Sequence, residues 1–197
     1  GKSVPRVVKF LGTDSAPDGG FEVYVNLDED KIERLIRLGN DAQAPYGFYD
    51  LGVAVQLTKS NPEWLSAVKA RGVACQTEED LEHIQIDPWP AGGYAVAEVP
   101  PGHRAVRCIA FVREDKTDNG YARPIHGLIC HVDVTAGQVV RVEDTGVVPM
   151  PPKPGRFDAA HQDSARTDLK DLEITQPDGP SFAVDGYRVK WQGYEFS

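Results

Sequence analysis

The spacing of the apolar residues changes once along this chain, near Ile84, and this change limits the folds that the chain can adopt. Before this point apolar residues recur every three or four positions, as on one face of a helix. After it they alternate, as on one face of a strand. Helices followed by a run of antiparallel strands favour a single sheet with one face covered by helices. The predicted fold class is therefore α+β.

Three helices are predicted before the change in spacing. Asp50 is expected to cap a helix that runs to Thr58. Asn61 is expected to cap a second helix, because the proline that follows it loses no hydrogen bond in a first helical turn. Gly72 suits the left-handed residue that ends this helix. The acidic run after Thr77 predicts a third, short helix, since acidic residues stabilise the positive end of a helix dipole.

Four strands rich in β-branched residues are predicted after the change in spacing, at 94–99, 105–112, 128–134 and 139–142. Gly137 is expected to adopt a positive φ in the hairpin turn between the last two strands. Residues 48–150 are thus predicted to form one α+β domain. A helix held against a meander of antiparallel strands is the arrangement called cystatin-like.

The residues before this domain, 1–47, are predicted to form a small α/β domain. Residues 7–11 and 21–25 have the composition of strands. Residues 31–38 fit either a short helix or a strand. Two strands and one short element bury little apolar surface, so we expect this region to lean on another part of the protein.

The residues after the domain divide into a connector and a second β segment. Residues 151–180 are predicted to be an extended linker, because four prolines fall between positions 149 and 154 and polar residues follow. Residues 181–197 alternate like paired strands around Asp185-Gly186. Two strands are not stable alone in water, so we expect them to be the first strands of a larger β domain supplied elsewhere.

The charge balance excludes several classes of partner. The 197 residues include 21 Lys or Arg and 30 Asp or Glu, a formal net charge of −9. Nucleic acids and anionic membranes need a positive surface, so neither is an expected partner. No apolar run approaches the ~20 residues of a membrane span, and the first residues lack the apolar core of a signal peptide. The three cysteines do not suggest a disulfide framework. We therefore expect a soluble, cytoplasmic protein.

No catalytic or metal site is predicted from the histidines and cysteines. His126 and His131 are five positions apart on a passage from loop to strand, so they do not share a face, whereas metal ligands on a strand would lie two positions apart. Cys130 and His131 are neighbours on a predicted strand, so their side chains point to opposite faces. Cys108 and Cys130 are expected to be buried and unreactive. No phosphate-binding glycine loop or nucleophile elbow is present, so motifs alone do not indicate an enzyme.

Aromatic side chains on predicted loops are the remaining candidates for a binding role. Trp89 lies between two prolines, and Tyr121 follows Asn-Gly; a third group lies upstream at Tyr46, Phe48 and Tyr49. Aromatic residues on loops either line a partner surface or pocket, or fold back onto their own core. The sequence leaves both alternatives open.

Several ordered motifs resemble the third amino-terminal domain of copper amine oxidases. They are IAFV at 109–112, YARPIHGL at 121–128, VDV at 132–134 and RVEDTGVVP at 141–149. EITQPDGPSF at 173–182 and VKWQ at 189–192 are similar to that family's linker into its catalytic β-sandwich. The resemblance runs from about residue 10 to the end of the chain, and the bacterial members look most similar.

The resemblance implies a pair of small α+β domains, N2 and N3, on the outside of a homodimeric enzyme. Members of this family convert primary amines and O₂ to aldehyde, ammonia and H₂O₂ with copper and topaquinone. The family's motifs for the quinone tyrosine, the His-x-His copper pair and the catalytic aspartate are not found in this sequence. Copper and topaquinone are therefore expected in a partner catalytic domain or subunit, with no cofactor bound by this chain.

The resemblance also implies a role for three side chains. Residues of the family's N3 domain form one wall of the funnel that leads the amine to the quinone. By local sequence match, the wall positions fall on Leu51, Trp89 and Tyr121. Bulky apolar groups there would select substrates by burying the hydrocarbon part of the amine.

Two functions from different classes follow. The first is a non-catalytic amino-terminal part or subunit of a copper amine oxidase, which supplies part of the substrate channel and assembly contacts. The second is a stand-alone cystatin-like binding module without activity. Residues 187–196 separate the two, because a shared β-sandwich needs these strands and a stand-alone module does not.

Overall fold

A computed structural model of the chain describes residues 5–13, 20–39, 42–92, 96–164 and 166–197. The chain forms two compact units, divided after Phe157. None of the helices in these ranges has both the length and the hydrophobicity that a bilayer crossing requires.

The first unit begins with a small antiparallel sheet in the order β1-β2-β3. Its strands are β1 (Val7–Thr13), β2 (Gly20–Asn26) and β3 (Lys31–Arg37). Residues 31–37 are thus a strand, which settles the alternative left open by their spacing. Large apolar side chains of this sheet remain more than half exposed, including Phe10 and Ile32. This exposure agrees with a region that is stabilised from outside itself.

Three helices follow: α1 (Phe48–Ser60), α2 (Pro62–Ala70) and α3 (Glu78–Glu82). The predicted cap of α1 is wrong, because Gly47 is the cap and Asp50 lies in the first turn. There the Asp50 carboxylate accepts a hydrogen bond of 3.0 Å from the Gly47 backbone N–H. The predicted start of α2 is confirmed, because Asn61 accepts a hydrogen bond from the backbone of the first turn. Gly72 has the expected positive φ, 75°.

The helices cover one face of a four-stranded antiparallel sheet in the order β4-β5-β6-β7. Its strands are β4 (Ile84–Pro90), β5 (Ala105–Val112), β6 (Leu128–Asp133) and β7 (Gln138–Asp144). The last three were predicted, and Gly137 has a positive φ in the turn between the last two. The α+β class is confirmed, whereas the cystatin-like comparison stays a prediction.

The predicted strand at 94–99 is wrong where the structure describes it. Residues 93–95 lie outside the described residues, and Val96 to Val99 form a turn closed by a backbone hydrogen bond of 2.9 Å. The strand lies earlier, in β4, and includes Trp89, which was predicted to lie on a loop. Proline is tolerated here because β4 is the edge strand of the sheet and pairs with β5 alone among the described strands.

The core lies between the helices and one face of this sheet. Alternate strand residues point toward the helices and are buried there with Trp64 and Val68 of α2. They are Ile84, Ile86, Val106, Cys108, Ala110, Leu128, Cys130 and Val132. The residues between them point to the opposite side, here called the open face, which carries the polar and aromatic side chains discussed below.

The second unit, from Asp158, ends in three short antiparallel strands. They are β8 (Phe182–Asp185), β9 (Arg188–Trp191) and β10 (Tyr194–Phe196). The alternation of residues 181–197 predicts a hairpin, and the structure adds a third strand to it. Before β8, the described residues of this unit contain one short 3₁₀ turn, Ala159–His161, and no strand.

Candidate functional site

Two of the three residues predicted to line a substrate channel meet at one carboxylate on the open face. The Trp89 indole Nε1–H donates a hydrogen bond of 3.1 Å to Asp87 Oδ2. The Tyr121 hydroxyl donates a hydrogen bond of 3.2 Å to the same oxygen. Both aromatic residues are 58% exposed. These three residues are called the Asp87 cluster below.

Strand geometry places Asp87 and Trp89 side by side. They are two positions apart in β4, so their side chains leave the same face of the sheet. The intervening Pro88 and the earlier Ile86 point toward the helices. Trp89 was predicted to lie on a loop, and this prediction is wrong because the residue pairs with Arg107 of β5. The indole is therefore carried by a strand of the main sheet.

Tyr121 reaches the cluster from a 3₁₀ turn, Gly120–Ala122, that follows β5. Asn119 starts this turn by accepting a hydrogen bond from the Tyr121 backbone N–H at 3.1 Å. A Cβ at Gly120 would lie 2.8 Å from Gln85 Oε1 and 3.2 Å from both Arg113 Cγ and Phe111 Cβ, so glycine suits this tightly packed position. The turn can thus approach β4 closely. The Tyr121 ring packs edge-on against Phe111, with 4.9 Å between the ring centroids.

The chain that follows β7 braces the loop before this turn. Arg156 forms an ion pair with Asp115 and donates a hydrogen bond of 3.2 Å to the Thr117 hydroxyl. Hydrogen bonds from Thr117, and to a smaller extent from Arg156, hold the pKa of Asp115 well below its ordinary value. Gly155 is buried beside Ala122. The Tyr121 turn is therefore held from both sides, by β4 and by the segment around residue 155.

The carboxylate of Asp87 affects the ionisation of Tyr121. The nearby carboxylate, through its charge and its hydrogen bond, raises the pKa of Tyr121 above its ordinary value of 10.0. The phenol therefore stays protonated near neutral pH and continues to donate to Asp87. The result is an exposed aromatic surface held in place by a carboxylate. Such a surface can bind the hydrocarbon part of a ligand.

Leu51, the third predicted channel residue, is not brought into the Asp87 cluster. It lies in the first turn of α1, where its backbone N–H donates to Gly47 at 3.2 Å, and its side chain is half-buried. Its spacing from the buried Ala54 and Thr58 puts it on the side of α1 that faces the sheet. Leu51 therefore belongs to the helix layer, whereas the Asp87 cluster lies on the open face. Its role in a channel stays a prediction.

The aromatic group Tyr46, Phe48 and Tyr49 divides between the two alternatives left open above. Phe48 and Tyr49 were predicted to lie on a loop, and this prediction is wrong because they form the first turn of α1. Tyr46 folds back onto the domain, because its hydroxyl donates to the Ala105 carbonyl at 3.1 Å and the Arg104 guanidinium lies 4.1 Å from its ring centroid. Phe48 and Tyr49 are 97% and 83% exposed. Tyr46 is therefore structural, and the other two present free aromatic surface.

The cysteines and histidines do not assemble a site. Cys108 and Cys130 are fully buried opposite each other on β5 and β6, and burial raises the pKa of both thiols, that of Cys108 to about 12. His131 is buried beside Glu143, at 3.1 Å, and burial lowers its pKa. His103 pairs with Asp133 at 2.7 Å. In the ranges that the structure describes, no group of three or more His, Cys, Asp or Glu could hold a metal ion. These residues do not fit a copper ion.

Asp87 is the member of the site that sequence reasoning did not select. The signal that could have found it is an acidic residue two positions before a tryptophan, which places both side chains on one face if the segment is a strand. The flanking prolines concealed that strand. The approach of Tyr121, 34 positions later, depends on the packing of the 3₁₀ turn and has no signal in the linear spacing.

The described residues thus define an α+β module whose open face carries exposed aromatic residues and whose buried thiols and paired imidazoles show no catalytic arrangement. Comparison with known families identifies the family of this module. The family model of the copper amine oxidase N3 domain matches residues 50–160, more than half of the chain. The chain therefore belongs to the copper amine oxidase N3-domain family.

Individual relatives extend the similarity beyond these residues. The primary amine oxidase of Arthrobacter sp. (strain P1) is 33% identical over 196 residues, which cover 100% of this chain and 29% of the relative. The histamine oxidase of Arthrobacter globiformis is 30% identical and covers 96% of this chain. The peroxisomal N-methylputrescine oxidase 1 of Nicotiana tabacum is 34% identical over 163 residues, 79% of this chain. The chain spans less than a third of the length of each relative. It covers 27% of the histamine oxidase and 20% of the N-methylputrescine oxidase.

A solved structure supports the same fold. The copper-containing benzylamine oxidase from Hansenula polymorpha superposes with a TM-score of 0.61 over 99% of this chain and 31% of that chain, at 19% sequence identity. At this identity the match concerns the fold alone.

Proposed function

We propose that this chain is the non-catalytic amino-terminal part of a copper- and topaquinone-dependent amine oxidase and supplies one wall of its substrate channel. The complete enzyme would oxidise primary amines to aldehyde, ammonia and H₂O₂ in the cytoplasm. The relatives support this activity through their names, which specify primary amines, histamine, N-methylputrescine and benzylamine. Copper and topaquinone would be held by the remainder of the enzyme, since the described residues of this chain do not fit a metal ion.

The observation that carries the channel proposal is the Asp87 cluster. Two large aromatic side chains, each 58% exposed, lie together on the open face although water exposure is unfavourable for both. Their fixed geometry distinguishes them from exposed aromatic residues such as Tyr49. Contact with Trp89 that removes roughly 60 Å² of apolar surface from water would stabilise a bound amine by about 1.5 kcal/mol, a factor of about ten in affinity.

Substitution in the complete oxidase tests this proposal. Trp89→Ala and Tyr121→Ala are expected to raise KM for 2-phenylethylamine about tenfold and to leave KM for methylamine within about twofold. The reason is that methylamine has almost no hydrocarbon surface to bury. Tyr49→Ala, which removes an exposed aromatic ring outside the cluster, is the matched control. Leu51→Ala tests the third predicted wall position separately. Unchanged kinetics of the two cluster variants across several amines would refute the proposed wall.

Assembly contacts form the second part of the proposal. In the second unit, Phe182, Val189, Trp191 and Phe196 line a shallow apolar cavity of about 310 Å³ on one face of the β8–β10 sheet. A three-stranded sheet with an exposed apolar face is expected to be covered by further strands. We infer that β8–β10 and the strands that cover them belong to the catalytic β-sandwich of the oxidase. Two copies of the complete oxidase would form a dimer. This interpretation is favoured over a stand-alone binding module, for which the exposed face would be a liability.

Co-purification tests this assembly. The chain expressed with its natural continuation or partner subunit should purify with a polypeptide that absorbs visible light as a quinone. Replacing Trp191 by Glu should weaken that association, whereas Arg166→Glu, at an exposed position of the same unit, should not. A chain that purifies as a stable solitary monomer in the presence of the candidate partner would contradict the proposal.

A further inference from the structure

The three members of the Asp87 cluster differ in exposure and in hydrogen bonding. Trp89 and Tyr121 present the exposed rings, and Asp87 is half-buried behind them. One oxygen, Asp87 Oδ2, accepts both ring hydrogen bonds, at 3.1 and 3.2 Å. The two rings come from parts of the chain that are 32 positions apart, and the carboxylate is the polar group that both contact.

Exposed aromatic side chains without polar partners exchange rotamers on a fast timescale. Ordering such side chains when a ligand binds lowers affinity, because the lost freedom must be offset by the contacts made. A hydrogen bond that fixes each ring in advance removes this loss. The Phe111 ring adds an edge-on contact to Tyr121, and Trp89 has only the carboxylate as a side-chain hydrogen-bond partner among the described residues. Trp89 therefore depends most on Asp87.

We propose that Asp87 is the positioning residue of the substrate wall: by holding Trp89 and Tyr121 in one orientation, it sets the preference of the oxidase for amines with a bulky hydrocarbon part. This inference rests on the proposed function, because it assigns the wall to Trp89 and Tyr121. Asp87 acts through the two rings and does not touch the reacting atoms. Its effect is expected in KM for large amines, not in kcat.

Two variants of the complete oxidase separate the hydrogen bonds of Asp87 from its charge. Asp87→Leu removes the acceptor and should raise KM for 2-phenylethylamine about tenfold, with kcat and KM for methylamine unchanged within about twofold. Asp87→Asn keeps an acceptor oxygen in place and should stay within about threefold of the wild type. Glu143→Gln, which neutralises a carboxylate on the open face at the far strand, is the control for charge. An asparagine variant as impaired as the leucine variant would overturn the positioning role.

A double-mutant cycle tests whether Asp87 acts through the rings. Tyr121→Phe removes one hydrogen bond and keeps the ring, so its effect on KM should be largely absent when Asp87 is already leucine. Additive effects would overturn the inference. Thermal unfolding of each variant confirms that the enzyme is folded.

The comparison with the alanine variants keeps the two proposals distinguishable. Effects in Trp89→Ala and Tyr121→Ala together with wild-type kinetics in Asp87→Leu would overturn the positioning role and leave the wall intact. Wild-type kinetics in all of these variants would refute the proposed wall itself.

Discussion

Arg104 is expected to be the main anchor of the segment that leads into α1. Its side chain is nearly buried, with the residue 8% exposed. The guanidinium donates hydrogen bonds to the backbone carbonyls of Ala44 and Pro45, at 3.0 and 3.2 Å. It also donates to the Asp50 carboxylate at 3.0 Å. A single cation on the residue that precedes β5 is thus bonded to the segment before α1 and to the first turn of that helix, which carries Leu51.

Replacing Arg104 by methionine keeps the apolar stem and removes these hydrogen bonds. Hydrogen bonds from a charged donor contribute about 1.5–3 kcal/mol each, and loss of one member of a buried ion pair costs about 3–5 kcal/mol. Asp50 keeps partial access to water, its side chain being 22% exposed, so the lower end applies. We expect a loss of about 3 kcal/mol. For a unit of this size it corresponds to a decrease in Tm of roughly 6–12 °C.

Thermal unfolding of the chain, followed by circular dichroism, measures this loss in the transition of the first unit. Arg104→Lys should recover less than half of it, because an ammonium cannot reproduce the planar fork of a guanidinium. Arg166→Met is the matched control, since the side chain of Arg166 is 70% exposed in its pair with Asp168. Equal Tm values for Arg104→Met and the wild type would refute the anchoring role, as would an equal loss in the control.

Two further predictions concern titratable groups. Cys108 should be unreactive in the native chain. At pH 8 a pKa of about 12 leaves about one Cys108 in ten thousand as thiolate, whereas a pKa of 9.0 would leave about one in ten. A thiol reagent should therefore label native Cys108 about a thousandfold more slowly than Cys108 in urea, and a clearly smaller difference would contradict this. Asp144 accepts hydrogen bonds from Arg71, which hold its pKa at about 2, below the ordinary 3.8. A lowered carboxyl pKa stabilises the fold above pH 3.8, and this stabilisation is lost as the pH falls through 2. Arg71→Met should therefore be less stable than the wild type at pH 7, with the difference shrinking toward pH 2 in acid unfolding curves. The same difference at both pH values would be inconsistent with the linkage.

The parts of the fold that depend on local chemistry could be predicted from the sequence. The start of α2 follows from a good capping residue and a proline beside it, and the turn at Gly137 follows from a residue that tolerates positive φ. The strands β5, β6 and β7 follow from alternation of β-branched residues. In each case the signal and the structure lie within a few positions of each other.

The parts that depend on distant contacts could not be predicted. The cap of α1 is Gly47 and not the predicted Asp50, because the Asp50 carboxylate accepts hydrogen bonds from the Gly47 backbone and from Arg104, a partner 54 positions away. β4 was missed because its prolines are acceptable only at the edge of a sheet, and edge position is a property of the assembled fold. The meeting of Trp89 and Tyr121 at Asp87 required both the strand and the packed turn, and neither is visible in the local sequence.

The prolines of β4 have a consequence for how the protein associates. A strand at the border of a sheet offers unpaired N–H and C=O groups to any other extended chain, which can lead to aggregation. Pro88 and Pro90 have no N–H, so alternate donors are missing from this border. A foreign strand could not complete its ladder there. The same prolines thus protect the border beside the Asp87 cluster from pairing with another polypeptide.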